Sequence, residues 1–275
     1  MLLVITSCIA PPKQGSLLLN NPESRFAQSK KAVDAFVRSG CFSKIVFCDS
    51  SDYSFTKEEL VDVNNETVEV EVLQFRGDAD RVRKQGKGYG EGEIMAYVFE
   101  HSRLMKGEPY FFKVTGRLMV RNIMKVIAAC KPDTNYFNIT SLRSLRAIDT
   151  RFYGVSVDAF RMALLDAYRS VNDNAFYYYE MSFRDALKRH RVPFRPFKCF
   201  PEICGVSGTR GVEYKTSGIK HTYQRFAARF GFLNTSFSNI LLLALEVPNL
   251  IARKLSQRRL MPKETKAKCL KNGKE

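Results

Sequence analysis

The chain has 275 residues, 45% hydrophobic and 12% aromatic, which suits a globular protein able to bury one large core or two small ones. Its formal net charge of +16 is uneven: residues 215–275 hold 13 Lys/Arg against 3 Asp/Glu, whereas residues 1–214 hold 31 against 25. That distribution fits an anionic surface met by the C-terminal region. The seven cysteines have no CxxC spacing and the three histidines are scattered, which speaks against a zinc site and fits free thiols in a reducing compartment.

Residues 2–9 form an apolar run of strand length, without the basic leader of a signal peptide, and end before Pro11-Pro12. This predicts a first, central parallel strand and a cytoplasmic protein. Residues 24–39 carry Phe26, Val33, Phe36 and Val37 at near-helical spacing, and Gly40 stands where a helix stops. Residues 43–48 predict a second buried strand ending at Asp49, and residues 68–75 alternate as a half-exposed strand does. A polar loop over 76–85 leads through GKGYGEGE to a helix over 94–105. The run Tyr110-Phe111-Phe112-Lys113-Val114-Thr115 reads as a short buried strand, broken by Gly116 and followed by Arg117.

Beyond it the pattern predicts a helix over 123–129, strands over 134–140 and 151–156, and helices over 157–170 and 180–190. Three prolines make 193–201 an extended edge or loop, and 206–217 reads as a mobile loop. The alternation implies an α/β fold, an open and mostly parallel sheet with flanking helices. Residues 218–260 predict basic amphipathic helices and 261–275 a disordered basic tail.

In such sheets ligands sit outside the carboxyl ends of strands, so Arg117 stands where an anionic ligand would arrive; a surface Arg closing a turn is the plainer reading. The glycine-rich run lacks the closing Lys-Ser/Thr of a phosphate loop and lies too far from the strand before it for a dinucleotide fingerprint. It leaves a basic helix start where free N–H groups favour anions, with Lys84 and Lys87 beside it. Asp78-Ala79-Asp80 has metal-binding spacing, but Arg76, Arg81 and Arg83 flank it and suggest internal charge pairing. Glu180 lies between an aromatic cluster and a helix start, either a general base with a raised pKa or a first-turn Glu that favours the helix dipole. Residues 230–245 carry no charge and have basic flanks, the pattern of an in-plane membrane anchor involving Ile240, Leu241, Leu243, Arg253, Lys254, Arg258 and Arg259. A core helix is the competing reading.

Taken in order, YFFKVTGR, RFYGVSVDAF, YYYEMSF and GKGYGE resemble a glycosyltransferase of the GT-A type over roughly residues 1–200, in particular bacterial enzymes that build capsule or O-antigen polysaccharides. The resemblance implies a GT-A-like catalytic domain over 1–205, with a nucleotide-sugar half (1–117) and an acceptor half (118–205). It places Gly116-Arg117 where the family keeps its D-x-D, which implies transfer without a metal cofactor, with Mg²⁺ or Mn²⁺ kept open. It implies donor contacts at Thr6, Ser7, Asp49, Lys87, Lys113 and Gly116, charge stabilisation by Arg117, and Glu180 as the base of an inverting reaction. The implied partners are a nucleotide-sugar donor, a saccharide or lipid-linked acceptor, and the anionic inner face of the plasma membrane, with no nucleic acid. Two other classes remain: a nucleic-acid-binding protein, for which no RRM, KH or OB pattern is visible, and a metal-dependent nucleotidyl- or phosphotransferase on a similar sheet.

Overall fold

The computed structural model describes residues 1–11, 21–62, 67–142, 145–206, 213, 214, 216–235, 238, 240 and 241. In chain order the elements are β1 (Leu2–Ser7), α1 (Pro22–Ser39), β2 (Lys44–Asp49), α2 (Lys57–Leu60), β3 (Glu69–Gln74), α3 (Ala79–Gln85), α4 (Lys87–His101) and β4 (Tyr110–Thr115). There follow β5 (Met119–Val120), α5 (Ile123–Ala128), β6 (Ile139–Leu142), β7 (Leu145–Ile148), β8 (Phe152–Ser156), α6 (Val157–Ala159), α7 (Tyr179–Arg189), β9 (Ile203–Cys204) and α8 (Ile219–Arg229).

Five strands make the central sheet in the order β3-β2-β1-β4-β8. The first four are parallel and β8 runs antiparallel to β4. The fold is therefore α/β, a mostly parallel sheet flanked by helices, as the strand–helix alternation predicts. β1 is buried on both sides because its side chains feed two apolar layers: Leu2 and Val4 pack with α4 and α7, Leu3 and Ile5 with α1 and α5. Each such side chain stabilises the fold by about 1.5–3 kcal/mol relative to exposure. The register sets Thr6 beside Cys48 of β2 and Thr115 of β4, so the strands' carboxyl ends finish together.

Local signals place the ends of α1. The Asn21 side chain accepts from the amide of Ser24 at 2.7 Å, and Gly40 closes the helix at φ 63°, in the left-handed region open to glycine.

Several elements differ from the sequence reading. The stretch over 76–85 is not all loop, since Asp78 caps α3 by accepting from the amide of Arg81 at 2.9 Å. The glycine-rich run opens the helix, but from its first turn: α4 spans Lys87–His101, starting and ending earlier than the predicted 94–105. Gly88 and Gly92, one turn apart, are contact points. A Cβ on Gly88 would lie 2.6 Å from the Cβ of Tyr179, and one on Gly92 would overlap the side chain of Tyr168. Tight packing against the aromatics outweighs a helix cost of about 1 kcal/mol per glycine.

The predicted helix over 157–170 is broken. α6 gives way to a π-helical turn at Phe160–Leu164 and a 3₁₀ turn at Ala167–Ser170, where the hydroxyls of Ser170 and Ser182 both donate to the carbonyl of Ala167. Over 134–140 only Tyr136 forms an isolated bridge before β6 starts a hairpin with β7.

α8 buries Ala227 and Ala228 beside Leu233 and Phe200. Ile240 and Leu241 are described and exposed. Leu243, Arg253, Lys254, Arg258, Arg259 and the predicted tail lie outside the described residues, as do 207–212 and 215 of the predicted loop. Among the described residues, no helix is long and apolar enough to cross a membrane.

Candidate functional site

A cavity of about 290 Å³ opens at the carboxyl edge of the sheet. It receives Thr6 and Ser7 from β1, Thr115, Gly116 and Arg117 from the end of β4, Lys87 and Glu91 from α4, and Glu180 from α7. Six of the residues named from sequence, Thr6, Ser7, Lys87, Gly116, Arg117 and Glu180, thus line one space.

Two others do not line it. Asp49 is fully buried, and its carboxylate accepts from the amide of Ile9 at 2.8 Å, the amide of Ser51 at 2.9 Å and the Ser51 hydroxyl. It ties the chain after β1 to the chain after β2 and so shapes the rim. Lys113 is also fully buried. Its ammonium donates to Glu91, to Thr115 Oγ1 at 2.9 Å and to the Thr150 carbonyl at 2.9 Å, beneath the cavity floor. The resemblance implies donor contacts at both, but a strand's alternation sends Lys113 into the α4 layer rather than up to the strand's end.

Gly116 permits the turn that presents Arg117. Its amide donates to the Thr6 carbonyl, and a Cβ would run into that same oxygen. Arg117 then adopts φ 67°, costly for a residue with a Cβ. Its Nη1 donates to Gln28 Oε1 at 3.1 Å. Burial, and then the neighbouring Arg25 guanidinium, bring its pKa down to about 10. Arg25 is itself buried and donates to the Cys8 carbonyl from Nε at 3.1 Å. Burial lowers its pKa too. Two neighbouring guanidiniums, one buried and one half-buried, favour a ligand with more than one negative charge. Cys8, on the same wall, has its thiol pushed up to about 11 by burial and by Asp49.

The acidic side of the cavity is differentiated. Glu91 accepts from Lys113 and from Thr115 Oγ1, and Glu93 accepts from the amide of Asp78 at 3.0 Å. Glu180 sits above its ordinary carboxylate range, raised by burial and by Glu91 and Asp149, with its own amide and Lys87 pulling the other way. Burial raises Glu93 as well, but Glu93 is engaged by the Asp78 amide, which leaves Glu180 as the carboxylate on the α7 wall with a raised affinity for a proton.

Sequence reasoning missed Arg25, Arg151 and Tyr214. The signal for Arg25 was available: it falls in register with Ser29, Ala32, Val33 and Phe36 on the buried face of α1, where a charge needs a reason. Arg151 grips Asp149 with two bonds, Nε to Oδ1 at 2.9 Å and Nη2 to Oδ2 at 2.7 Å, and lies 5.0 Å from the Tyr214 ring centroid. Burial would raise the Asp149 carboxyl, but Arg151 brings it below its usual value.

The start of α4 does not present a bare anion site. Asp173 stands against Gly86 and accepts from the amide of Lys87, so the protein supplies its own carboxylate there. Asp78 and Asp80 pair with Arg81 and Arg83, the pairing their flanking arginines suggest. Among the described residues, no three His, Cys, Asp or Glu side chains gather as a set able to hold a metal ion.

No family model and no curated protein matches the sequence. Solved structures that resemble the chain include the inositol-1-phosphate CTP transferase from T. maritima, at 10% identity and a TM-score of 0.44, covering 68% of this chain and 81% of that one. HddC from Yersinia pseudotuberculosis resembles it at 10% identity and a TM-score of 0.35, covering 57% of this chain and 77% of that one. Likeness at these levels assigns neither substrate nor reaction. The chain's own geometry offers a mostly parallel α/β sheet whose carboxyl edge carries a cavity with paired arginines on one wall and a carboxylate of raised pKa on another.

Proposed function

We propose that the protein is a glycosyltransferase that moves a sugar from a nucleoside-diphosphate donor to a hydroxyl acceptor. Arg117 and Arg25 would hold the diphosphate and offset the charge it gains as the sugar leaves, a task that fixed cations perform well in a dry site. Lys87 would add to that field. Thr6 and Ser7, at the end of β1, would border the nucleoside. Glu180 would accept the acceptor's proton as its oxygen attacks the anomeric carbon, inverting the configuration. The arginine pair makes the proposed transfer independent of a bound metal. The acceptor would be a saccharide or a lipid-linked saccharide of cell-surface polysaccharide synthesis, met at the inner face of the plasma membrane.

The observation that supports this reading is Glu180, a carboxylate of raised pKa in the same cavity as Arg25 and Arg117. It also separates the proposal from nucleotidyl transfer. There the nucleophile is a phosphate oxygen that is already anionic near neutral pH, and no base is needed. A sugar hydroxyl needs one.

The test is ³¹P NMR of two reactions run with EDTA or with Mn²⁺. Glycosyl transfer releases a nucleoside diphosphate from a nucleotide sugar plus acceptor. Nucleotidyl transfer releases pyrophosphate from a nucleoside triphosphate plus a sugar phosphate. Nucleoside diphosphate release in EDTA is expected. Pyrophosphate release would overturn the reading, and strict dependence on Mn²⁺ would overturn its metal-free form. A thermal-shift screen of UDP and GDP and their sugars identifies the donor, because stabilisation follows ligand concentration over Kd.

A further inference from the structure

A second concavity lies on the far side of the short β5–β9 ladder. It is a groove of about 650 Å³ between the start of α5, the chain before β9, and α8. The groove is built rather than incidental. Asn122 donates to the Phe200 carbonyl at 2.9 Å and accepts from the Glu202 amide at 2.9 Å, and the Arg121 amide donates to the Glu202 carbonyl at 2.9 Å. α8 docks through Ala227 and Ala228.

Its lining is strongly basic: Arg121, Lys125, Lys198, Arg225 and Arg229 against Glu202, which is paired with Arg225 at 2.9 Å. The same elements expose large apolar side chains beside the charge. Met124 is 65% exposed, Phe226 54% and Phe230 63%, with Ile219 at the start of α8 also exposed. A soluble protein surface does not need that combination.

We propose that this face docks on an anionic bilayer, with lipid phosphates in the basic groove and Met124, Phe226, Phe230 and Ile219 entering the acyl boundary. The basic end of the chain is a poor occupant of the groove, because residues 253–275 hold nine Lys/Arg against two Asp/Glu and would meet like charge. Single-stranded nucleic acid would use the basic groove and stack on the phenylalanines, but the aliphatic Met124 and Ile219 give it no stacking face. A bilayer uses all of them. The placement matters for the cavity. Leu118 and Val206 line the cavity, while Arg121 and Glu202 line the groove, so only the two residues of β5 stand between Leu118 and Arg121, a span of about 10 Å over three residue steps. A bilayer held at the groove stands beside the cavity whatever reaction occurs there.

The test is co-sedimentation of the full chain with phosphatidylcholine vesicles, with and without phosphatidylglycerol. Lys125→Gln/Arg229→Gln and Phe226→Ser/Phe230→Ser are compared with wild type, and thermal unfolding confirms that each variant folds. The C-terminal basic residues stay in every variant and cannot explain a difference. Wild type is expected to bind only the anionic vesicles. The double charge variant is expected to bind roughly 30-fold more weakly, about fivefold per basic residue. The double phenylalanine variant is expected to release at moderate salt, where wild type stays bound. Wild-type binding by both variants would overturn the proposal. So would equal binding to neutral vesicles, preference for a single-stranded oligonucleotide, or a solution dimer that Phe226→Ser/Phe230→Ser dissolves.

Discussion

The amide of Gly116 donates to the carbonyl of Thr6 at 2.5 Å, so the turn after β4 rests directly on the end of β1. A methyl group at residue 116 would meet that oxygen and, at 3.2 Å, Cα and Cβ of Ser7. β1 is the middle strand of the sheet and cannot yield easily. Gly116→Ala is expected to cost about 1–3 kcal/mol. It should also weaken nucleotide binding, because Arg117 moves with the turn. Thermal melting and a nucleotide titration check both. An unchanged melting temperature with unchanged affinity would mean that the close approach is not what position 116 requires.

Arg117 separates stability from function. Its φ of 67° suits glycine, and its guanidinium is half-buried near a second one. Arg117→Gly should therefore leave the fold intact and raise stability by roughly 0.5–1 kcal/mol. The same change should weaken binding of the proposed nucleoside diphosphate roughly 10- to 150-fold, the equivalent of one charge-assisted bond. Denaturant unfolding and calorimetry measure the two effects. A destabilised variant with full affinity would reverse the interpretation.

Glu180 predicts a signature in pH. Its carboxyl is held above the ordinary range by burial, so over part of the pH scale the folded protein keeps a proton that the unfolded chain has lost. The stability from this group is complete below the unfolded value, about 4.3, and is lost as pH rises through the folded one. Glu180→Gln should accordingly melt higher than wild type at neutral pH, with the gap closing toward about pH 4. Turnover should fall by about 10²–10⁴-fold. The rise of wild-type rate with pH should vanish. Persistence of that limb in Glu180→Gln would assign the base elsewhere.

Lys113 and Glu91 test the floor of the cavity. Lys113→Met strands a carboxylate beside Thr115 and should cost about 3–5 kcal/mol. Adding Glu91→Gln should recover much of that loss, and a double-mutant cycle in urea reads the coupling. Strict additivity would show that the pair is not a unit.

The sheet was legible because β1, β2 and β4 are short apolar runs bounded by breakers, a pattern that buried parallel strands leave in any sequence. The cavity was legible in part for the same reason: once strand ends are known, Thr6, Ser7, Gly116 and Arg117 fall on the edge where ligands gather. What could not be read is what depends on a partner element. Gly88 and Gly92 look like the anion-binding start of a helix until Tyr179 and Tyr168 are seen against them. Lys113 looks like a donor contact until Glu91 is found beside it. Arg151 and Tyr214 reach the cavity from segments far apart in the chain. No local pattern records that meeting.

The contacts of α4 have a mechanical outcome. Gly86, Gly88 and Gly92 bring its backbone against Asp173, Tyr179 and Tyr168, all from the second half of the chain. The seam is backbone-close over about two turns and ties the α4 wall of the cavity to the wall that carries Glu180. The α4 and α7 walls are therefore held together before any ligand arrives, and that part of the ordering entropy has been spent in folding. X-ray scattering profiles with and without bound nucleotide should superimpose.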